Sequence, residues 1–457
     1  MTTKKNIIKF YFFFLFSHFF LWTLIPSISN INLPLDTIEA LAWGSNLEWG
    51  FNKHPPFSAF AVEFFYLIFG PNDWAYYLLS QIFVSIAFIY VWKFSNEIFE
   101  DKIYSLLSVL VLSGIYFYNF TTPEFNVNIC QLPFWVLTIY HFWKSIKTNK
   151  KIYWILFGVF SALGFLSKYL FIYILASIFI YFILNLKKYK KLIPNYILAT
   201  FISLALLTPH FIWLFENDFK TIFYGLNRSA LNETMLINNL KNPLIFLLKQ
   251  ITILLPFFLM ISVLLKKLKF KINLKNKKIL FLISVTIFPI LLVLITSIVT
   301  GAKIRTMWMT PFYLLFGTFF IEILRKNIDL KKIKKFYLIF ILFFILSPSI
   351  YLGVSLLDKT KRTDYQGKEI ARLVQNKWNN NFFNDIKIVV GDEWFAGNLS
   401  YHLASRPVWV NDLKNKISGI ESNQGVIYVG NPKILKKLCP GVFGKIEPVG
   451  YCMIGRR

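Results

Sequence analysis

Apolar runs of roughly twenty residues, the length a helix needs to cross about 30 Å of hydrocarbon, recur from the start of the chain to about residue 355. Their spacing predicts membrane helices near residues 7–27, 76–93, 104–120, 129–144, 152–167, 169–186, 193–215, 243–265, 279–300, 309–325 and 336–355, about eleven spans. Two segments break this rhythm. Residues 28–75 read as short amphipathic or re-entrant helices over 36–49 and 55–69, and their aromatics Trp43, Trp49, Phe51, Phe57 and Trp74 suit the membrane interface, where a ring is half in lipid. Residues 356–457 turn polar, with β-type runs at 386–392, 407–412 and 425–430 and helical patterns at 365–378 and 394–404. The pattern therefore predicts an all-α polytopic membrane domain over 1–355, with a large first outer loop at 28–75, and a small C-terminal α/β domain over 356–457 long enough to hold its own core. Neither a solenoid period nor an inverted pair of membrane halves is visible.

Composition supports the membrane assignment, because 56% of residues are hydrophobic and only 16% are charged, too apolar for a soluble domain. A net charge of +27 would suit nucleic acid if the basic residues met on one folded surface. They lie instead in alternate connections: Lys4 and Lys5, Lys93 and Lys102, the lysines from Lys144 to Lys151, those from Lys187 to Lys191, and runs at 266–278 and 325–335. This is the positive-inside pattern, in which cationic loops stay in the cytoplasm against anionic lipid. It excludes a nucleic-acid partner, puts the N-terminus inside and, with an odd number of spans, places 356–457 on the outer face of a bacterial inner (plasma) membrane, in the periplasm. The first apolar run is too long, and too little like a small-residue cleavage site, for a removable signal. Three cysteines exclude a disulfide-dense scaffold and a zinc motif. Cys130 reads as helix packing; Cys439 and Cys452 fall in an oxidising location where a disulfide is open to them, and spacing does not decide it.

Ionisable residues beside apolar helices on the outer face carry the candidate chemistry. Asp36 and Glu39, in "LPLDTIEALAWG", share a helix face at i, i+3 and read two ways: as an N-cap with its capping box, or as paired carboxylates that hold each other's pKa apart or bind a divalent cation. Lys53 and His54 precede two prolines that stiffen the backbone, so the lysine is either a fixed cation for a lipid phosphate or an ordinary snorkelling side chain. Glu124 stands isolated in the short outer loop "TTPEFNVN". Lys168, His210, Arg228 and the pair Lys303 and Arg305 in "GAKIRTMW" face the same side; a cationic pair beside an aromatic suits a phosphate leaving group, whereas a lone histidine at a helix end is more often packed than catalytic. Neither GxGxxG nor GxxxxGK[ST] occurs, which disfavours a nucleotide-driven mechanism.

These motifs together resemble bacterial glycosyltransferase family 39 of the membrane-embedded GT-C class, most closely the branch of rhizobial lipopolysaccharide galacturonosyltransferases and more distantly the lipid A aminoarabinose transferases and protein O-mannosyltransferases. The likeness spans almost the whole chain and rests on "LDTIEALAWG", "NKHPPFSAF", "TTPEFNVN", "FLSKY", "TPHFIWLFENDF", "RTMW" and, in the tail, "GDEWFAGNLSYHL". It implies a polyprenyl-phosphate-linked sugar as donor, a glycolipid or protein acceptor on the outer face, and inversion at the anomeric carbon. Asp36 would be the base; Lys53, His54, Lys303 and Arg305 would hold the donor phosphate; Glu39 and Glu124 would orient the base. The motifs fix no cofactor, and a divalent metal on Asp36 and Glu124 is an option, although many relatives carry Asp where this chain has Glu124. The competing reading is a transporter or flippase of lipid-linked saccharide, and a third is a non-catalytic assembly protein. A transporter would place its ionisable groups near the bilayer midplane; here they sit at the outer rim.

Overall fold

The computed structural model describes residues 4–229, 237–267, 272–411 and 425–457. The last residue of the predicted strand 407–412 and part of the basic run 266–278 lie outside the described residues. The membrane part is built from helices α1 (Lys4–Ser29), α2 (Leu35–Gly44), α3 (Phe57–Phe69), α4 (Asp73–Phe99), α5 (Lys102–Leu110), α6 (Val127–Thr148), α7 (Lys151–Ser167), α8 (Ile172–Leu184), α9 (Leu186–Tyr189), α10 (Ile193–Glu216), α11 (Lys220–Arg228), α12 (Asn238–Val263), α13 (Lys277–Thr286), α14 (Phe288–Thr300), α15 (Phe316–Leu324) and α16 (Ile333–Leu357). Six of these segments are long and apolar enough to cross a bilayer, and the bent pair Thr306–Tyr313 and Phe316–Asn327, angled by 56°, makes a seventh. The other predicted spans are three shorter apolar helices, 102–114, 151–167 and 169–184, together with the 22-residue α6.

Several predicted spans are interrupted where the sequence supplies a reason. The span 279–300 divides between α13 and α14 at Ile287, next to Pro289, which has no N–H for the helical ladder. The span 309–325 begins instead as a 3-10 turn, Thr306–Tyr313, around Pro311 before α15. The span 104–120 leaves the α-helix after Leu110 and continues as 3-10 turns over Val111–Gly114 and Tyr116–Tyr118. Gly114 there lies so close to α12 that an added Cβ would meet the Phe257 backbone at 2.8 Å.

The C-terminal domain, α/β as predicted, holds α17 (Gly367–Asn379), α18 (Phe395–His402) and α19 (Pro432–Leu438) and a five-stranded sheet of order β2-β1-β3-β5-β4, with β1 (Ile388–Val390), β2 (Val408–Val410), β3 (Val426–Gly430), β4 (Val442–Ile446) and β5 (Val449–Ile454). β1 runs parallel to β2 and β3, while β5 is antiparallel to β3 and β4. The hairpin of β4 and β5, helix α19 and the amphipathic α11 were not among the predicted elements: the hairpin and α19 are short runs of mixed Lys, Gly and apolar residues, and α11 has only nine residues in which to show its period. Cys439 and Cys452 form a disulfide that ties the end of α19 to β5. Cys130 is buried, with Sγ 3.4 Å from the Ser167 Oγ.

The two parts share a core. Ala42 and Trp43 of α2, Phe51, and Ala59 of α3 belong to the same buried apolar cluster as Ile370, Val374, Trp378, Leu399 and Trp409 of the C-terminal domain. Gly397 of α18 lets that helix approach α2, since an added Cβ would sit 3.2 Å from both Ala42 and Ile38. Polar ties flank this contact: Tyr401 donates to Asp73 at 2.7 Å, Asn32 to Asn398 at 2.9 Å, and the Trp409 amide to Ser45 at 2.9 Å. The first outer loop is thus clamped between membrane helices and the C-terminal domain.

Candidate active site

Pro34, with φ −61° and ψ 160°, ends the extended segment after α1 and occupies the N-cap of α2, so Asp36 falls within the first helical turn. This overturns the capping reading of Asp36 and Glu39. No side-chain cap bond forms at that terminus, and Glu39 turns outward to Lys53 at 2.8 Å. The carboxylate that meets the start of α2 comes from elsewhere: Glu124 Oε1 accepts from the Asp36 amide at 3.1 Å, across 88 residues of sequence. Thr37 Oγ1 bonds the Phe125 carbonyl at 3.1 Å and fixes the same register. Asn126 caps α6 by accepting from the amides of Asn128 and Ile129, which holds the Glu124 loop rigid just before the helix.

Four cations act on the Asp36 carboxyl. Lys168, Lys53, Arg362 and Arg228, in that order of influence, oppose the effect of burial on Asp36. Lys168 is the C-cap residue of α7, placed with extended backbone at φ −165°, and its ammonium donates to Asn128 and lies 5.4 Å from the Trp308 ring centre. Lys53 sits between Glu39 at 2.8 Å and Glu393 at 3.3 Å. Arg228 ends α11, and the adjacent Ser229 carbonyl accepts from the Lys303 amide at 2.9 Å, which brings the 301–305 segment alongside it. Arg305 then starts the turn that carries Trp308, whose amide bonds the Arg305 carbonyl at 3.0 Å. The structure so gathers Asp36, Glu39, Glu124, Lys53 and Lys168 directly, and leads Arg228, Lys303 and Arg305 to the same side.

Asp36 and Glu124 each keep part of their surface open, yet burial is the largest influence on both carboxyls. Both side chains are therefore partly desolvated while remaining partly accessible. Burial pushes Glu124 up, and the charges of Asp36 and Glu39 push it further. Burial also raises Asp36, but the cations counter it. The two carboxyls are close enough to titrate as a pair, and the cations favour the ionised form at the Asp36 side of it. Burial lowers the Lys168 ammonium to about 7, against the pull of Asp36. Burial disfavours the Lys53 ammonium too, but its bonds and charge contacts with Glu39 and Glu393 outweigh this and raise its pKa. His54 is held neutral, lowered to about 3 by burial and by Lys168, Lys53 and Arg228; it can act by hydrogen bonding and not as a cation. His210 is fully buried, with Nδ1 2.6 Å from the Trp49 carbonyl and Nε2 2.8 Å from the Tyr169 hydroxyl. Both nitrogens being engaged, it anchors the first outer loop to α10.

The donor set does not match a divalent metal. Glu124 meets the backbone of Asp36, with one carboxylate oxygen committed to the Asp36 amide, and Glu39 is paired with Lys53. Among the described residues no three His, Cys, Asp or Glu side chains gather as a ligand set. Positive charge at the carboxylates is supplied by lysine and arginine. Sequence reasoning missed Arg362, Asn128 and the role of Glu393, although the last two lie within motifs already singled out, "TTPEFNVN" and "GDEWFAGNLSYHL".

Residues 53–213 match the family model described as dolichyl-phosphate-mannose-protein mannosyltransferase, a stretch that includes Lys53, His54, Glu124, Lys168 and His210. No curated protein sequence matches the chain significantly. Among solved structures, the chain is similar to ArnT from Cupriavidus metallidurans bound to undecaprenyl phosphate, with TM-score 0.67 and 11% identity, over 96% of this chain and 97% of that one. It is similar also to the apo state of the same enzyme, with TM-score 0.65 and 10% identity, over 98% of each chain. The chain is a polytopic membrane protein with the GT-C fold, and its residues 53–213 match the family model of the dolichyl-phosphate-mannose-protein mannosyltransferases.

Proposed function

We propose that this protein is a membrane glycosyltransferase that moves a hexose or pentose from a polyprenyl-phosphate donor to an acceptor on the outer face, such as lipid A or core lipopolysaccharide, with inversion. The observation that carries the reading is the meeting of Glu124 with the Asp36 amide, with four cations acting on the Asp36 carboxyl. The fold likeness to an enzyme solved with undecaprenyl phosphate supports the choice of carrier. Orientation follows the lysine pattern, with the N-terminus cytoplasmic and the C-terminal domain periplasmic; the Cys439–Cys452 disulfide agrees with an oxidising compartment for that domain.

In this reading Asp36 takes the proton of an acceptor hydroxyl as that oxygen attacks the anomeric carbon. The bond from that carbon to the phosphate oxygen breaks, and its electron pair leaves with polyprenyl phosphate. Raising a carboxyl by burial makes it a stronger base, while nearby cations keep it ionised. Lys53 and Lys168, with Arg228, Lys303 and Arg305 on the same side, stabilise the charge that develops on the departing phosphate. The polyprenyl tail needs no dedicated fold, since its burial among apolar helices contributes about 0.8 kcal/mol per CH₂.

Purified protein is incubated with a polyprenyl-phosphate sugar and extracted lipid A or core glycolipid, and product is followed by mass. The native chain transfers the sugar, and Asp36→Asn lowers kcat roughly 10²–10⁴-fold, as loss of a general base does. Undiminished transfer by that variant would remove Asp36 from the mechanism. The mass difference between envelope glycolipids of wild-type and deletion cells identifies the sugar.

A further inference from the structure

One charged group beside the candidate centre has no part in the chemistry above. Glu393 belongs to the C-terminal domain, in the turn between β1 and α18, and its carboxylate reaches Lys53 at 3.3 Å. The Lys53 ammonium is therefore held between two carboxylates from distant parts of the chain, Glu39 at 2.8 Å and Glu393 at 3.3 Å, each side chain only 13% exposed. At this ammonium one positive charge is shared by two carboxylates, and Lys168, Arg228 and Arg362 nearby offset only part of their charge. A phosphodiester arriving at the same ammonium adds another negative charge. Like charges a few ångström apart in partly buried surroundings repel strongly, so one carboxylate must yield. Glu39 is fixed on α2, one turn from Asp36, and makes the shorter contact. Glu393 makes the longer one, from a turn.

We infer that Glu393 stands in for the donor phosphate: without donor its carboxylate occupies the Lys53 ammonium, and the incoming phosphate displaces it. The inference rests on the polyprenyl-phosphate reading above. Glu393 is thus a positioning residue that acts through Lys53, and it gives the C-terminal domain a direct electrostatic link to the site. The displaced carboxylate also supplies a competitor that helps expel the spent carrier. Its neighbour Trp394 carries the Arg362 guanidinium 6.0 Å from its ring centre, and Arg362 is one of the cations acting on Asp36. Movement at Glu393 is therefore adjacent to a second charge of the site.

The test measures binding of sugar-free polyprenyl phosphate to the full chain in detergent or nanodiscs, for the native protein, Glu393→Gln, Glu393→Asp, Lys53→Met and the double variant Lys53→Met with Glu393→Gln. Removing the competing charge tightens binding about tenfold in Glu393→Gln. Glu393→Asp, which keeps the charge, stays close to native, and the gain disappears in the Lys53→Met background. In turnover, Glu393→Gln lowers donor KM and lowers kcat as release slows. A merely structural role for Glu393 predicts the opposite, weaker binding with both substitutions. Unchanged or weaker binding by Glu393→Gln, in protein whose thermal unfolding matches native, overturns the inference. If the native chain itself binds no polyprenyl phosphate, it is the functional reading that fails, and the two failures are told apart by that control.

Discussion

Asp36 and Glu124 are separated by 88 positions, and neither is unusual alone; their chemistry comes from the hydrogen bond that seats one carboxylate on the other's amide. The pair and Lys168 together set a pH dependence. Asp36 must be ionised to accept a proton, and burial raises its pKa, so kcat/KM falls as pH drops through a value above the ordinary aspartate range. Lys168 must be charged to face phosphate, and burial lowers it to about 7, so kcat/KM also falls as pH rises through about 7. Since kcat/KM reports the free enzyme, the profile is bell-shaped, while bound phosphate shifts the alkaline limb of kcat upward. Lys168→Arg keeps the charge at all accessible pH, and its alkaline limb moves up; a limb that stayed at the native pH would assign it to another group. His210, by contrast, with both ring nitrogens bonded, affects activity only through the Trp49 loop it holds.

Helix α2 is short, yet it can hold Asp36 and Glu39 in place because it is braced against α3 and the C-terminal domain. Arg406 is the principal brace: its guanidinium bonds Glu63 on α3, the Leu41 carbonyl at the end of α2 and Ser400 on α18, and it lies 4.2 Å from the Tyr66 ring centre. With side chains 14% and 8% exposed, Arg406 and Glu63 form a buried ion pair. Removing one partner strands the other, so Arg406→Met destabilises by about 3–5 kcal/mol. Differential hydrogen exchange reads this as loss of protection at α2, α3 and α18 together; loss confined to α18 would deny Arg406 its bracing role. Within the membrane, close helix approach depends on small residues. A Cβ on Gly317 of α15 would meet the Ser108 carbonyl of α5 at 1.9 Å. Gly317→Ala therefore forces those backbones apart and costs about 1–3 kcal/mol, measured as a lower unfolding temperature in detergent.

At the scale of the whole molecule, one buried apolar cluster joins the first outer loop to the C-terminal domain, so both must lie on the same side of the bilayer. A membrane-impermeant thiol reagent applied to intact cells permeable only at the outer membrane labels Phe383→Cys, whose parent residue is 91% exposed on that domain, and spares Lys187→Cys in a basic connection. The background is clean, since Cys130 is buried and Cys439 is paired with Cys452. Equal labelling at both positions would refute the orientation. Local composition by itself determined the membrane class, most span positions, the boundary near residue 356 and the candidate acids and cations, because hydrocarbon imposes length and polarity on each segment separately. It could not place Glu124 on Asp36, Glu393 on Lys53 or Arg406 on Glu63, nor show that Pro34 and not Asp36 takes the N-cap of α2. Those pairings are contacts between residues tens to hundreds of positions apart, and such contacts leave no period in a sequence; they exist only once packing has brought the segments together.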